Sequence, residues 1–245
     1  MHARVQCPRR DAPVPRYLEQ AYWWAYMHPR AVRLFERQWL VNLILCGNYR
    51  RLRDAAIAEL GGSLHGKTLQ VSCVYGDLTR RIAARLARGA QLHVVDVLRV
   101  QLENLARKLP ASLLHGVRRE GRQQPAVELI QGDSATLEFR SGSYDRALLF
   151  FLLHEQPAGV RRATLAEALR VVRPGGRIVI VDYHRPHRLN PMYWPMAGVF
   201  RMLEPFALDL WHAELTSWIP PGSRVTTARK RTYFGGLYQL VSITV

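Results

Sequence analysis

Four residues stand where side-chain chemistry is possible: His154, Glu155, Asp182 and His184. His154 and Glu155 follow the apolar run Tyr144–Leu153; Asp182 closes the run 177–182, and His184 comes two residues later. Such runs read as buried strands. Side by side, they would bring imidazole and carboxylate to one edge of a sheet. His154 there could take a proton as a general base, or the set could ligate a metal. Nothing in the spacing separates the two. Taken singly, each residue could equally be a cap or a loop hydrogen bond. A second group surrounds the run Lys67–Thr79, in which Leu69, Val71 and Cys73 alternate with Gln70 and Ser72 and one glycine, Gly76, ends the turn. Asp96 lies 20 residues beyond Gly76 and closes the next apolar run, Gln91–Asp96. An acid at that spacing and place hydrogen-bonds ribose hydroxyls in nucleoside-binding sheets. Its structural alternative is a helix N-cap, compatible with ribose binding only if the side chain stays available.

These residues need a frame, and the chain supplies one. Helical periodicity over 78–86 directly follows the first strand, and further helices are expected over 97–109 and 160–172. Strands are expected at 126–130, 144–153 and 177–182. The β-α-β alternation from Lys67 to Asp182 predicts a doubly wound α/β sheet with right-handed crossovers, the most apolar strand at its centre. Ligands bind such sheets at the carboxyl ends of the strands. Residues 226–233 and 237–245, separated by Gly235-Gly236, read as a hairpin adding an antiparallel edge. Before the sheet, Tyr49–Leu60 is a helix ended by Gly61-Gly62. Residues 111–125 read as a basic loop, and 1–16 as a disordered tail. The domain division is this tail, a helical extension over 17–60, and one α/β domain over 61–245 carrying an insert at 183–223.

The chain of 245 residues is 48% hydrophobic, with 35 basic and 19 acidic residues and a formal net charge of +16. A surplus of that size implies an anionic partner, although solubility of an arginine-rich chain is the plainer account. No appended nucleic-acid-binding module is visible. The three cysteines have no metal or disulfide spacing, which favours a reducing compartment. No apolar run reaches membrane-spanning length, and no signal-peptide core precedes the domain. In residues 17–53 aromatics stand beside arginines, and Val32, Phe35, Trp39, Leu43 and Cys46 recur at helical spacing. That composition suits a helix at a membrane interface or one packed on the domain with its aromatics inside. The insert at 183–223 is rich in Met, aromatics and Pro, and suits either a lid over a flat apolar ligand or a covering helical pair.

The layout over residues 49–245 resembles the class I S-adenosylmethionine-dependent methyltransferases, and Arg170–Asp182 resembles the post-helix signature of quinone-biosynthesis methyltransferases. The implied fold is a seven-stranded Rossmann-like sheet with its last strand antiparallel, Asp96 on the cofactor's ribose and Asp133 on its adenine. In this sequence the first motif departs from that superfamily: Gln70 stands at the acid position, and Ser72 and Val74 at the first two glycine positions. Val71–Thr79 resembles instead the rhodoquinone biosynthesis family. So do Tyr22–Pro29, Phe35–Leu40, Asn42–Tyr49 and the blocks of the insert from Asn190 to Trp211.

The narrower resemblance implies an unusual reaction. A ubiquinone methoxy group is replaced by an amine from S-adenosylmethionine, assisted by a divalent metal, manganese (Mn2+). It places the cofactor on Gln70, Val71, Ser72, Cys73, Val74, Tyr75, Gly76, Asp96, Val97, Asp133, Ser134 and Phe150. Catalysis falls to Tyr75, His154, Asp182 and His184, with the metal ligands unassigned. Gln70 fits the reaction physically, because removing a carboxylate from beside the cofactor's ammonium eases loss of its proton. The alternative reading is a methyltransferase acting on a quinol or small phenol. A basic binding protein on a decayed fold is a third. With ubiquinone as substrate, the protein is expected on an anionic membrane surface, at the cytoplasmic face of a bacterial inner membrane or in a mitochondrion.

Overall fold

The computed structural model describes residues 14–21, 38–73, 75–115 and 126–245. Its centre is a seven-stranded sheet. The strands are β1 (Lys67–Val71), β2 (Gln91–Asp96), β3 (Val127–Gln131), β4 (Tyr144–Phe150), β5 (Val172–Tyr183), β6 (Thr227–Tyr233) and β7 (Tyr238–Thr244). They lie in the order β3-β2-β1-β4-β5-β7-β6. The first five are parallel to one another, while β7 runs antiparallel to both β5 and β6. The expected central strand is central, and the expected terminal hairpin closes the sheet. The edge strand β6 is exposed and carries Arg229, Lys230 and Arg231, charges that discourage another chain from pairing there.

Alternation along the strands makes two cores. Leu148, Phe150, Val179 and Val181 join one; Ala147, Leu149, Ile178 and Ile180 join the other. The first is covered by α2 (Gln38–Ile44), α3 (Tyr49–Leu60), α4 (Leu78–Ala83) and α5 (Arg99–Lys108). The second is covered by α7 (Ala158–Val171), which buries Leu165, Ala168 and Leu169. The short α1 (Arg16–Ala21) and α6 (Ala111–His115) complete the body, and the insert folds as α8 (Tyr193–Leu203) and α9 (Asp209–His212). The strand expected over 177–182 begins earlier: residues 173–176, the expected break after the helix, belong to β5, whose pairing with β4 shifts register between Tyr144 and Arg146.

Helix α3 does more than cover the sheet. Tyr49 is fully buried, accepts a hydrogen bond from the Asp77 amide (3.0 Å) and donates one to the Asp77 carboxylate (3.3 Å). Arg53 holds the same carboxylate at 2.7 Å. Together they pin the turn after β1 against the body. Gly76 has φ +91°, and a Cβ built there would sit 2.5 Å from the Tyr49 hydroxyl. Gly76→Ala should therefore cost about 2–4 kcal/mol through an unfavourable backbone and a clash. The thermal midpoint should fall by about 10 °C, and an unchanged midpoint in calorimetry would show that the turn is not held by Tyr49.

Part of the expected N-terminal helix is present as α2. Its stripe is turned outward: Trp39 and Leu43 are exposed, while Val41 and Leu45 meet the core. Tyr22, Trp23, Trp24, Tyr26, Val32 and Phe35 lie outside the described residues. So do Val74, the tail at 1–13 and most of the expected basic loop, 116–125.

Candidate active site

The carboxyl edge of β1, β2 and β4 opens into a cavity of about 450 Å³. It is lined by Ser72, Cys73, Tyr75, Asp96, Val97, Asp133, Ser134 and Phe150, eight of the residues expected to meet a cofactor. Gln70, Val71 and Gly76 do not line it, and Val74 is outside the described residues. The reason for Gln70 is strand alternation. Leu69 and Val71 point into one core, so Gln70 points to the side of α4. Fully buried there, it must be satisfied locally. Its Oε1 accepts from the Thr79 hydroxyl (3.0 Å), and its Nε2 donates to the Ser72 carbonyl (3.0 Å).

The turn keeps the shape that glycine usually permits. Ser72, at the first glycine position, has φ +74°. Phe151, just past β4, has φ +54° and also lines the cavity. Such non-glycine conformations are costly and collect where a site needs a particular backbone path. Asp96 braces this turn. One oxygen accepts from the Cys73 amide (2.7 Å) and the Ser72 hydroxyl (3.3 Å), and the other from the Leu98 amide (2.8 Å). Asp96 thus holds the backbone just before α5 rather than capping that helix, whose N-cap position is Leu98; a carboxylate has about four acceptor positions, so three bonds leave room for a ribose hydroxyl. Tyr75 accepts from Gln101 Nε2 at 2.9 Å. The Asp133 carboxylate caps the Ala135 amide at 2.8 Å, and Ser134 pairs with Thr164 and Gln156.

The opposite wall holds a dyad. His154 Nδ1 lies 2.9 Å from Asp182 Oδ1, and Asp182, fully buried, also accepts from the amides of Leu153, His154 and Tyr183. The short 3-10 turn Leu153–Glu155 positions the imidazole, whose Nε2 is 3.8 Å from Glu155. Phe151 and Tyr183 pack edge-on against the ring. Burial pushes the imidazole pKa down. The charge and hydrogen bond of Asp182, with charge from Glu204 and Glu155, outweigh this and hold it at about 9. The imidazolium is therefore the resting form at neutral pH, suited to donate a hydrogen bond to an acceptor oxygen.

His184 does not join this group. Its Nδ1 donates to the Gly236 carbonyl (2.8 Å), tying the end of β5 to the hairpin, and its Nε2 faces Lys230. It lies outside the cavity lining. Among the described residues, no group of three or more His, Cys, Asp or Glu is arranged to hold a metal ion. The manganese expected from the resemblance thus has no preformed ligand set here: the dyad's Nδ1 is engaged by Asp182, and His184 is elsewhere.

Several lining residues were not anticipated. Tyr17 on α1, Phe151, Gln101, Gln156, Phe200 and Glu204 complete the wall. Phe151 could have been found from its place directly after the most apolar strand; Tyr17 and Glu204 carried no spacing signal. Among the described residues four acids line the cavity, Asp96, Asp133, Glu155 and Glu204, against one cation, the His154 imidazolium, and no Lys or Arg. In a chain of net charge +16, this is a local inversion of sign that favours a cationic ligand.

Comparison with known proteins agrees. Residues 68–176 match the methyltransferase domain family. Phosphoethanolamine N-methyltransferase 2 of Haemonchus contortus, solved with S-adenosylmethionine, superposes with TM-score 0.64 at 13% identity, covering 94% of this chain and 59% of that one. The fold is the class I methyltransferase fold. An uncharacterized methyltransferase of Synechocystis sp. is 26% identical, with 89% of this chain and 92% of that one aligned. The ubiquinone/menaquinone biosynthesis C-methyltransferase of Syntrophotalea carbinolica is 30% identical over 69% of this chain and 64% of its own length. S-adenosylmethionine fits this site's chemistry. Its ribose would find an acid at the end of β2, and its sulfonium a wall in which four carboxylates outnumber the one cation, the His154 imidazolium.

Two buried groups of the site, Asp96 and His154, set an expected pH dependence. Burial raises Asp96 to about 6, although hydrogen bonds from Cys73, Leu98 and Ser72 pull it down. A raised acid costs stability once ionised, so the fold should weaken as pH climbs from about 4 to 6. His154, raised to about 9, contributes stability in full below about 6.5, and this is lost as pH rises to 9 and beyond. Urea unfolding of the ligand-free protein should therefore show stability declining from mildly acid to alkaline pH. A maximum near pH 9 would contradict both assignments.

Proposed function

We propose that the protein is an S-adenosylmethionine-dependent methyltransferase whose acceptor is a quinol or a related phenol. The observation that carries this reading is the cavity itself: an acid-lined nucleoside end, and opposite it an aromatic wall holding the His154–Asp182 dyad. The C-methyltransferase relative acts in ubiquinone and menaquinone biosynthesis by its name, which supports the acceptor class. S-adenosylmethionine, when bound, supplies an electrophilic methyl group on a sulfonium. The protein's residues do the rest. Asp96 and Tyr75 hold the nucleoside end. Phe151, Tyr183 and Phe200 enclose a flat ring and exclude water. The acceptor would bind as its phenolate, the proton given up to solvent, and the His154 imidazolium would donate a hydrogen bond to that ring oxygen and stabilise its negative charge, so that the ring is aligned as a nucleophile.

A second reading is amino transfer to ubiquinone, the reaction of the rhodoquinone resemblance; its support is the sequence departure at Gln70, whose side chain itself faces Thr79 and not the cavity. With Gln70 at the acid position, β1 offers no carboxylate to hold the cofactor's ammonium in its charged form. In that reaction the same imidazolium would polarise the quinone carbonyl toward attack by the amine. The Gln70→Glu change is a poor test, because it would press a buried carboxylate against the Ser72 carbonyl. The deciding experiment uses S-adenosylmethionine carrying heavy carbon in its methyl and heavy nitrogen in its amino group. The protein is incubated with a quinone or quinol, with and without manganese. Product carrying heavy carbon supports methyl transfer, and product carrying heavy nitrogen supports amino transfer. An unlabelled acceptor with cofactor still bound would overturn the acceptor class.

A further inference from the structure

The cavity opens at an unusual place. Three residues that line it are also exposed: Ile44 on α2, and Val199 and Leu203 on α8. A residue that does both stands at the mouth. Outside them lies a second apolar tier. Trp39 and Leu43 are one helical turn apart on α2, and Trp194 and Met202 share a stripe of α8. Their exposures are 59, 65, 75 and 83%. Single exposed apolar side chains need no account, but a cluster ringing a pocket does. Arg185, Arg188 and Arg201 are exposed in the segment 183–203, which contains no Asp or Glu. Arg201 is on α8 itself, and Arg185 and Arg188 are in the segment leading into it.

We propose that this face docks on an anionic lipid bilayer, with α2 and α8 lying in the headgroup region and the cavity mouth turned to the acyl chains. Two tryptophans fit that depth, since an indole joins an apolar body to a polar N–H. These arginines meet lipid phosphate. No described helix is long and apolar enough to cross a membrane, so the contact is one of surface insertion. Resting on the quinol reading above, the arrangement lets an acceptor with an apolar tail pass from bilayer to site, its ring entering between Ile44 and Val199 while its tail stays in lipid. Docking itself needs no acceptor and is tested without one.

The test is flotation of the full-length protein with vesicles of phosphatidylcholine alone or mixed with phosphatidylglycerol. The wild type should float with the anionic vesicles, and lipids brominated along the acyl chain should quench its tryptophan fluorescence. Leu43→Glu with Met202→Glu should reduce partitioning at least tenfold, while cofactor affinity by calorimetry stays at the wild-type value because neither residue lines the cavity. Arg188→Gln with Arg201→Gln should reduce it by about fivefold per charge on anionic vesicles only. Wild-type partitioning by the glutamate variant would overturn the proposal. So would flotation without quenching, or a wild-type dimer that the glutamate substitutions dissociate, which would assign the face to a second copy of the chain. Failure of the labelling experiment with intact flotation would instead count against the acceptor alone.

Discussion

Asp182→Asn is expected to lower turnover by about 10²–10⁴-fold, the usual worth of a positioned proton-transfer or hydrogen-bonding group, with little change in cofactor affinity. Asp182 is fully buried and does not line the cavity, so it acts through His154 as a positioning residue. Its carboxylate does two things for the imidazole: it accepts the Nδ1 proton, and its charge offsets the burial that otherwise drives the pKa down. The amide loses the charge and, whichever way it turns, sets an NH2 against buried N–H groups on one side, so some loss of stability accompanies the loss of charge. Desolvation then has less opposing it, and the ring pKa should fall from about 9, leaving less imidazolium to hold a ring oxygen at neutral pH. A purely structural role would lower activity at all pH values alike. The dyad role predicts instead a pH–rate profile displaced to lower pH, with the same displacement in the nitrogen resonances of His154. If turnover falls while both titrations stay where they are, the dyad assignment is wrong.

Asp96→Asn should weaken S-adenosylmethionine binding by about 100-fold and destabilise the fold by about 1–3 kcal/mol. The carboxylate receives amide protons on both of its oxygens, from Cys73 on one and Leu98 on the other. An amide side chain has only one oxygen. Whichever way it turns, an NH2 group faces an N–H, and one buried backbone donor is orphaned. If the amide oxygen stays on Leu98, the turn around Ser72 loses the anchor that opposes its left-handed backbone. If it stays on Cys73, the start of α5 loosens. Either way the ribose loses a charged acceptor. Calorimetric titration gives the affinity and denaturant unfolding the stability. Wild-type affinity in a destabilised variant would mean that Asp96 is only a brace, with the ribose held elsewhere.

Much of the frame was legible along the chain. Buried strands and amphipathic helices announce themselves by period, and the alternation from Lys67 to Asp182 leaves few topologies once crossovers are right-handed. Asp96 was legible because a short strand–turn–helix unit places it almost regardless of context. Gln70 shows the limit. Its identity marks the departure of the first motif, but its direction is set by which core Leu69 and Val71 enter and by Thr79 waiting on α4. His184 shows the same limit, since its partner Gly236 lies 52 residues further on. The stripe of Trp39 and Leu43 had the right period for a buried face and turned out to be the exposed one. Period tells that a helix has two faces; the partner decides which is covered.

The sequence by itself determined the sheet, its central strand, the closing hairpin and the acid that ends β2, because these depend on local periodicity and short connections. Only the tertiary structure decided which acids share the cavity, that His154 rather than His184 pairs with Asp182, and that α2 and α8 flank one mouth. Those pairings join residues far apart along the chain, and contact between them arises only when the two cores pack and fix every strand's facing at once.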